Sequence, residues 1–213
     1  GGGGGGAAAW RGVLRGFEAR WLLLNLVVYG ALMALVENFL NVFLLQDFVR
    51  TPKVLLGAAT LVMCAFEIPV FKYVGRLWRG GGRRGLVGVL AAAEVLLAAR
   101  CVLYALLPRS QPWLVLLVEP LHGFTFAAMW CATVEYARRL APPGTEAKMQ
   151  ALANGLFYYI SFAAGSLFWG FLVQQPPRGL GFAASFYLDA LLIGGWLAVW
   201  LGGWALARRR GWA

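Results

Sequence analysis

The chain has 213 residues, 61% of them hydrophobic and 13% charged, with a formal charge of +10 and a mean hydropathy of +0.68. Soluble domains carry about 45–50% apolar and about 25% charged residues, so too little polar surface is present to cover a water-soluble globule. The basic residues stand in short gaps between apolar runs, a pattern of membrane topology rather than of nucleic-acid binding.

Residues 1–9, GGGGGGAAA, have no basic stretch ahead of a short apolar core and do not read as a signal peptide. Residues 1–20 are taken as a Gly/Ala-rich lead-in, disordered or cytoplasmic. A helix needs about 20 apolar residues to cross about 30 Å of hydrocarbon. Six segments meet that length: 21–45, 54–74, 85–107, 113–135, 150–173 and 181–206. Between them lie Thr51-Pro52-Lys53, Gly80 to Arg84, Pro108 to Pro112, Pro142-Pro143-Gly144 and Pro176-Pro177-Arg178-Gly179, each rich in helix breakers. The expected architecture is an all-α, six-helix membrane bundle over 21–207, with a basic tail at 208–213.

Loop charge sets the expected orientation. Arg11, Arg15, Arg20, Lys72, Arg76, Arg79, Arg83, Arg84, Arg138, Arg139, Lys148, Arg208, Arg209 and Arg210 fall on one side, and Arg50, Lys53, Arg109 and Arg178 on the other. The positive-inside rule then puts both termini in the cytoplasm. An even number of spans returns the chain to its starting side, in agreement.

A charge at a helix centre costs about 2.5–3.5 kcal/mol on insertion scales, and such residues usually face a bundle interior or aqueous cavity. Here Glu37 lies in the first segment, Glu67 in the second, Glu94 and Arg100 in the third, Glu119 and His122 in the fourth, and Asp189 in the sixth. At a rise of about 1.5 Å per residue, Glu37, Arg100, Glu119, His122 and Asp189 fall about 9–13 Å below the outer helix ends, whereas Glu67 and Glu94 fall at about 20 Å. The first five form one expected charge layer, with Arg100 paired to Glu119 or Glu37. The other two form a deeper layer.

The fourth segment carries Glu119, His122, Phe126, Met129 and Thr133 on one helical face. Pro120 in the same segment can free a backbone carbonyl. His122 is the single histidine, and an unperturbed imidazole, with a pKa of about 6.5, exchanges protons near neutral pH. Its bland alternative is one structural hydrogen bond. Glu37 shares a face with Asn41, and Glu67 shares one with Gly57, Thr60 and Cys64. Gln150, Asn154, Tyr158 and Ser161 form a polar stripe in the fifth segment, where Gly155, Ala164, Gly165 and Gly170 permit close packing. Asn41, Glu67, Asn154 and Tyr158 are the candidates for a substrate cavity. Trp78, Trp113 and Trp212 fit interface positions. Glu135 stands beside Arg138 and Arg139 as a solvated ion pair, and Glu18, Asp47 and Glu146 read as loop residues.

Cys64, Cys101 and Cys131 lie in apolar runs without a CxxC pair and read as small packing residues. Gly80-Gly81-Gly82 lacks the Lys and Ser/Thr of a nucleotide loop. No spacing of His, Cys and carboxylates suggests a metal centre. The expectation is a non-enzyme without cofactor or metal.

RCVLYALLP (100–108), PLHGFTFAAMWCATVEYARRLAPP (120–143), KMQALANGLFYYISFAAGSLFWGFL (148–172) and EIPVFKYVGRL (67–77) resemble the major facilitator superfamily. Within it the nearest likeness is to the superfamily-associated branch related to lactose and phenylpropionate permeases. The resemblance runs over about residues 21–207 and implies the C-terminal half of a twelve-helix transporter. It also implicates Arg100 and His122 in a proton-coupling network. Those symporters have a carboxylate one turn after the histidine, where this chain has Thr125; Glu119, one turn before, is the substitute candidate. The superfamily loop motif G-x-x-x-D-R/K-x-G-R-R/K is matched by GRLWRGGGRR (75–84), with Arg79 at the aspartate position and Gly80 at the next basic one. The implied function is proton-coupled movement of a small solute by alternating access. The alternative is a receptor-like or truncated membrane protein on the same fold. Implied partners are membrane lipid, a small-molecule substrate, and an N-terminal six-helix bundle or a second copy.

Overall fold

The structure, a computed structural model, describes residues 10–211. The run 1–9, Trp212 and Ala213 lie outside the described residues. Six helices long and apolar enough to cross a membrane follow one another: α1 (Phe17–Asp47), α2 (Lys53–Tyr73, continued by a 3₁₀ turn Val74–Arg76), α3 (Gly82–Leu106), α4 (Pro112–Leu140), α5 (Glu146–Leu172) and α6 (Phe182–Arg209). No strand occurs among the described residues. The chain is a multi-pass membrane protein.

All six expected spans are present, and most are longer than hydropathy alone indicates. Residues 10–15 are helical and α1 begins at Phe17, so the second half of the expected lead-in is structured. Glu18 and Asp47 belong to the ends of α1, and Glu146 opens α5. α6 extends through Arg209 into the expected tail. Charged ends do not stop a helix once it leaves the hydrocarbon, because the backbone hydrogen bonds continue. Prolines set the firm boundaries: Pro52 immediately precedes α2, and Pro112 opens α4, where a missing N–H costs nothing.

α1 is the central helix. Leu22, Leu26, Met33, Leu35 and Phe43 pack from it against Leu90 and Leu97 of α3, Met129 and Tyr136 of α4, Phe157 and Trp169 of α5, and Phe186 and Trp200 of α6. Gly165 lets α5 meet the α1 backbone at Ala31, where an added Cβ would overlap main-chain atoms, and the Trp169 indole then donates to the Ala31 carbonyl at 3.0 Å. Gly155, expected to serve the same end, has open space beside it.

α2 and α5 leave apolar faces uncovered. Val54, Leu61 and Ile68 on α2, and Tyr159, Leu167 and Phe171 on α5, are exposed. A helix apolar on every side requires apolar surroundings on every side, here lipid or another helical bundle.

α4 and α5 are not regular. α4 passes through 3₁₀ turns at Pro112–Leu114 and Glu119–Leu121 and a π turn at Gly123–Ala128. α5 has a π turn at Gly155–Ser161. Each π turn leaves a carbonyl that a hydroxyl occupies: Tyr29 donates to Thr125 O at 2.5 Å, and Ser161 donates to Leu156 O at 2.6 Å. π turns recur at functional sites, and both of these border the charge cluster or its open face.

Candidate functional site: a buried guanidinium–imidazole–carboxylate cluster

Arg100 of α3 is the hub. It is 1% exposed, and an unpaired cation there would be strongly unfavourable. Its Nη2 donates to Glu119 Oε2 at 3.1 Å, and Nη1 lies 3.5 Å from Glu37 Oε1. Its Nε donates to the Tyr104 hydroxyl at 2.8 Å, and that hydroxyl donates to Glu119 Oε1 at 2.7 Å. Tyr104 thereby closes a ring around the ion pair. Sequence reading missed it, although it stands four residues after Arg100 on the same helix face, where side chains meet.

His122 of α4 is the second hub. Arg100 Nη1 lies 2.9 Å from its Nδ1, Glu37 Oε1 lies 3.2 Å from the same Nδ1, and Glu67 Oε1 lies 2.7 Å from Nε2. A guanidinium has only donors, so the Arg100 contact requires an unprotonated Nδ1. Nε2 then carries the imidazole proton and donates to Glu67. This tautomer is assigned from the hydrogen-bond pattern. If Nδ1 takes a proton, it can donate to Glu37, but it then faces Arg100 donor to donor. The two contacts of Nδ1 exclude one another, and one proton selects between them.

Arg100, Glu119, His122 and Glu37 therefore come together, as the depth estimate predicts. Glu67 joins them, against its expected place in a deeper layer. Part of the difference lies in α4: its two three-residue 3₁₀ turns rise about 2.0 Å per residue rather than about 1.5 Å, carrying His122 about 3 Å deeper than a straight α-helix would. Gly123 also brings α4 against α2, since a Cβ there would stand 2.6 Å from the Phe66 carbonyl oxygen. Glu67, the next residue, is thus delivered to the imidazole.

Asp189 does not join. Its Oδ2 accepts from the Cys101 thiol at 3.2 Å, and its Oδ1 has no partner. One residue along a helix is a turn of about 100°, so Cys101 faces α6 while Arg100 faces the cluster. Cys101 is thus a hydrogen-bond donor as well as a packing residue. Glu94, six residues before Arg100, is 1% exposed, has Asn25 of α1 as its polar neighbour and is outside the cluster too.

A cleft of about 100 Å³ reaches the site, lined by Glu37, Asn41, Thr60, Met63, Arg100 and Glu119 among others. Glu37 is its most open charged group, with 23% of its side chain exposed. Asn41 faces the cleft as its spacing from Glu37 predicts. Asn154 and Tyr158 make no hydrogen bond with the cluster. Both are exposed on α5, where Tyr158 packs against Trp130 at 5.3 Å. The π turn breaks the expected polar stripe by rotating Ser161 into the core, where it is fully buried.

Phe126 stacks on the His122 ring at 5.5 Å, while Met129 and Thr133, farther along the predicted face, are buried and meet each other at 3.5 Å. Thr125 is fully buried and donates to the His122 carbonyl at 3.3 Å, a structural bond. Glu135 pairs with Arg138 at 2.8 Å and Arg139 at 2.7 Å, as expected. Among the described residues, no group of three His, Cys, Asp or Glu is arranged to hold a metal ion.

The model of the MFS_1 like family matches residues 7–183. The chain is 29% identical over 175 residues to human major facilitator superfamily domain-containing protein 6-like, covering 82% of this chain and 28% of that protein. It is 27% identical over 162 residues to the Xenopus laevis domain-containing protein 6-like protein A, covering 75% and 26%. It is 30% identical over 128 residues to a maltose permease of Geobacillus stearothermophilus, covering 58% and 30%. The chain spans less than a third of the length of each of these relatives. No solved structure matches it.

Proposed function

Because the chain belongs to the MFS_1 like family of the major facilitator superfamily, we propose that it is half of a secondary transporter that moves a small polar solute by proton-coupled alternating access. The observation that carries this reading is the double claim on His122 Nδ1, 2.9 Å from an obligate donor and 3.2 Å from a carboxylate oxygen. A proton arriving through Glu37, the member open to the cleft, transfers to Nδ1. Arg100 then gives up Nδ1 and is held by Glu119 and Tyr104, with the Glu37 carboxylate at 3.5 Å. Moving a guanidinium between two sets of partners gives the bundle two discrete charge arrangements, as a two-state transporter requires.

In this reading both termini are cytoplasmic. The solute binds near the midplane between this bundle and a second one, against Glu37, Asn41 and Glu67 from this side, with Asn154 and Tyr158 on the open face of α5. A maltose permease among the relatives makes a disaccharide the first solute to try.

The test is uptake of radiolabelled maltose into proteoliposomes under an imposed inward proton gradient, with His122→Gln and Glu119→Gln beside wild type. The reading predicts accumulation that collapses with a protonophore and is lost in both variants. Uptake indifferent to the gradient and to both substitutions would overturn it.

A further inference from the structure

A second polar cavity stands apart from the Arg100 cluster, at the end of the bundle where α1 and α3 begin and α6 ends. It has a volume of about 380 Å³ and is lined by Glu18, Arg83, Arg84, Val87, Trp204 and Arg208. It shares no residue with the transport site. Three guanidinium groups face one carboxylate, and Glu18 is already paired with Arg83 through Oε1, while its buried Oε2 has no partner. Arg84 and Arg208 have no carboxylate partner among the described residues.

Two further observations point to a missing anion. Trp204 is 4% exposed, yet its indole N–H has no acceptor. The hydroxyl of Tyr136, which stacks on Trp204 at 6.2 Å but does not line the cavity, also has no partner. A buried donor left unmade costs about 1–3 kcal/mol, so it calls for an acceptor. In addition, the first turn of α3 carries Arg83 and Arg84 and no acidic residue. A helix N-terminus favours anions and disfavours cations, so this placement is unfavourable until an anion sits between the arginines and the helix end.

We propose that this cavity binds a phosphate ester, carried by the headgroup of an anionic phospholipid. Guanidinium groups bind phosphate oxygens in bidentate pairs, and the indole N–H supplies one more donor. The cavity lies where the apolar stretches of α3 and α6 give way to arginines, which would stand beside headgroups in a bilayer, and Val87 and Trp204 offer an apolar wall to the glycerol end. Basic pockets between membrane helices are suited to such headgroups.

The experiment uses the purified chain in neutral detergent, with ¹⁵N-labelled tryptophan. Dioleoylphosphatidylglycerol, dioleoylphosphatidylcholine and inorganic phosphate are each titrated. Bound lipid is read by native mass spectrometry and the Trp204 indole by NMR, its resonance assigned through Trp204→Phe. The variants are Arg84→Gln/Arg208→Gln and, as a control for loss of one cation at the opposite loops, Arg178→Gln. Arg84 and Arg208 are exposed, and unchanged helix content by circular dichroism confirms folding. The expected result is phosphatidylglycerol bound about tenfold or more tightly than phosphatidylcholine, a shifted Trp204 N–H, and about tenfold or greater loss in the double variant, in line with charge-assisted hydrogen bonds. Arg178→Gln binds as wild type. Equal binding of both lipids, or undiminished binding by the double variant, overturns the site. Inorganic phosphate binding as tightly as phosphatidylglycerol overturns the lipid as its carrier.

Discussion

Replacing Arg100 by glutamine would leave the Glu119 and Glu37 carboxylates without their cation. Glu119 is 1% exposed and keeps only the Tyr104 hydroxyl at 2.7 Å; Glu37 can turn toward the cleft. Breaking a buried pair by removing one partner costs about 3–5 kcal/mol, and Arg100→Gln should lie in that range. Glu119→Gln is milder. Arg100 retains Glu37 at 3.5 Å, Tyr104 at 2.8 Å and His122 at 2.9 Å, so the loss is near that of one charged hydrogen bond, about 1.5–3 kcal/mol. In the double variant neither charge is stranded at the Glu119 end, and its cost should fall short of the sum by at least about 1 kcal/mol, a coupling typical of contacting residues. The assay is unfolding in mixed micelles by SDS titration, followed by tryptophan fluorescence. Additivity within about 0.3–0.5 kcal/mol, as found for independent sites, would refute the assignment of Arg100 and Glu119 as a buried pair.

Tyr104→Phe removes the hydroxyl bridging Arg100 Nε and Glu119 Oε1 and should destabilise the chain by about 1–3 kcal/mol in the same titration, as for a buried polar group left unmatched. Gly123→Val places a side chain where an added Cβ would meet the Phe66 carbonyl oxygen at 2.6 Å; it should cost about 1–3 kcal/mol by overpacking and, under the proposed function, abolish solute uptake by moving Glu67 off His122. Asp189→Asn should leave the proposed proton-driven uptake at the wild-type level, because Asp189 is bonded to Cys101 rather than to Arg100; loss of uptake equal to that of Glu119→Gln would place it in the proposed coupling network. Trp169→Phe should lower stability by about 0.5–1.5 kcal/mol through the lost bond to Ala31 O, measured by the same unfolding.

The spans were legible because length and apolarity dictate them, and Arg100, Glu119, His122 and Glu37 because buried charges must find one another. What remained hidden depended on departures from ideal helices. Glu67 reaches His122 in part because 3₁₀ turns in α4 change the rise per residue. Ser161 left its stripe because a π turn changes the angle per residue. Asp189 had the right depth but the wrong azimuth, and depth alone cannot separate a neighbour of Arg100 from a neighbour of Cys101. Tyr104 could have been found from its four-residue spacing. The unpaired donors of Trp204 and Tyr136 are invisible in sequence, since a missing acceptor is a property of packing. The family matches establish the superfamily and do not single out the lactose and phenylpropionate permease branch.

His122 is the single histidine of the chain, so ¹⁵N-histidine labelling in lipid nanodiscs reports one ring without ambiguity. At neutral pH Nε2 should be protonated and Nδ1 unprotonated, with a through-space contact from Nδ1 to an Arg100 guanidinium N–H. On acidification Nδ1 should gain its proton and lose the Arg100 contact in the same step. A ring that becomes imidazolium while the Arg100 contact persists, or that carries its neutral-pH proton on Nδ1, would contradict the proposal that one proton selects between Arg100 and Glu37.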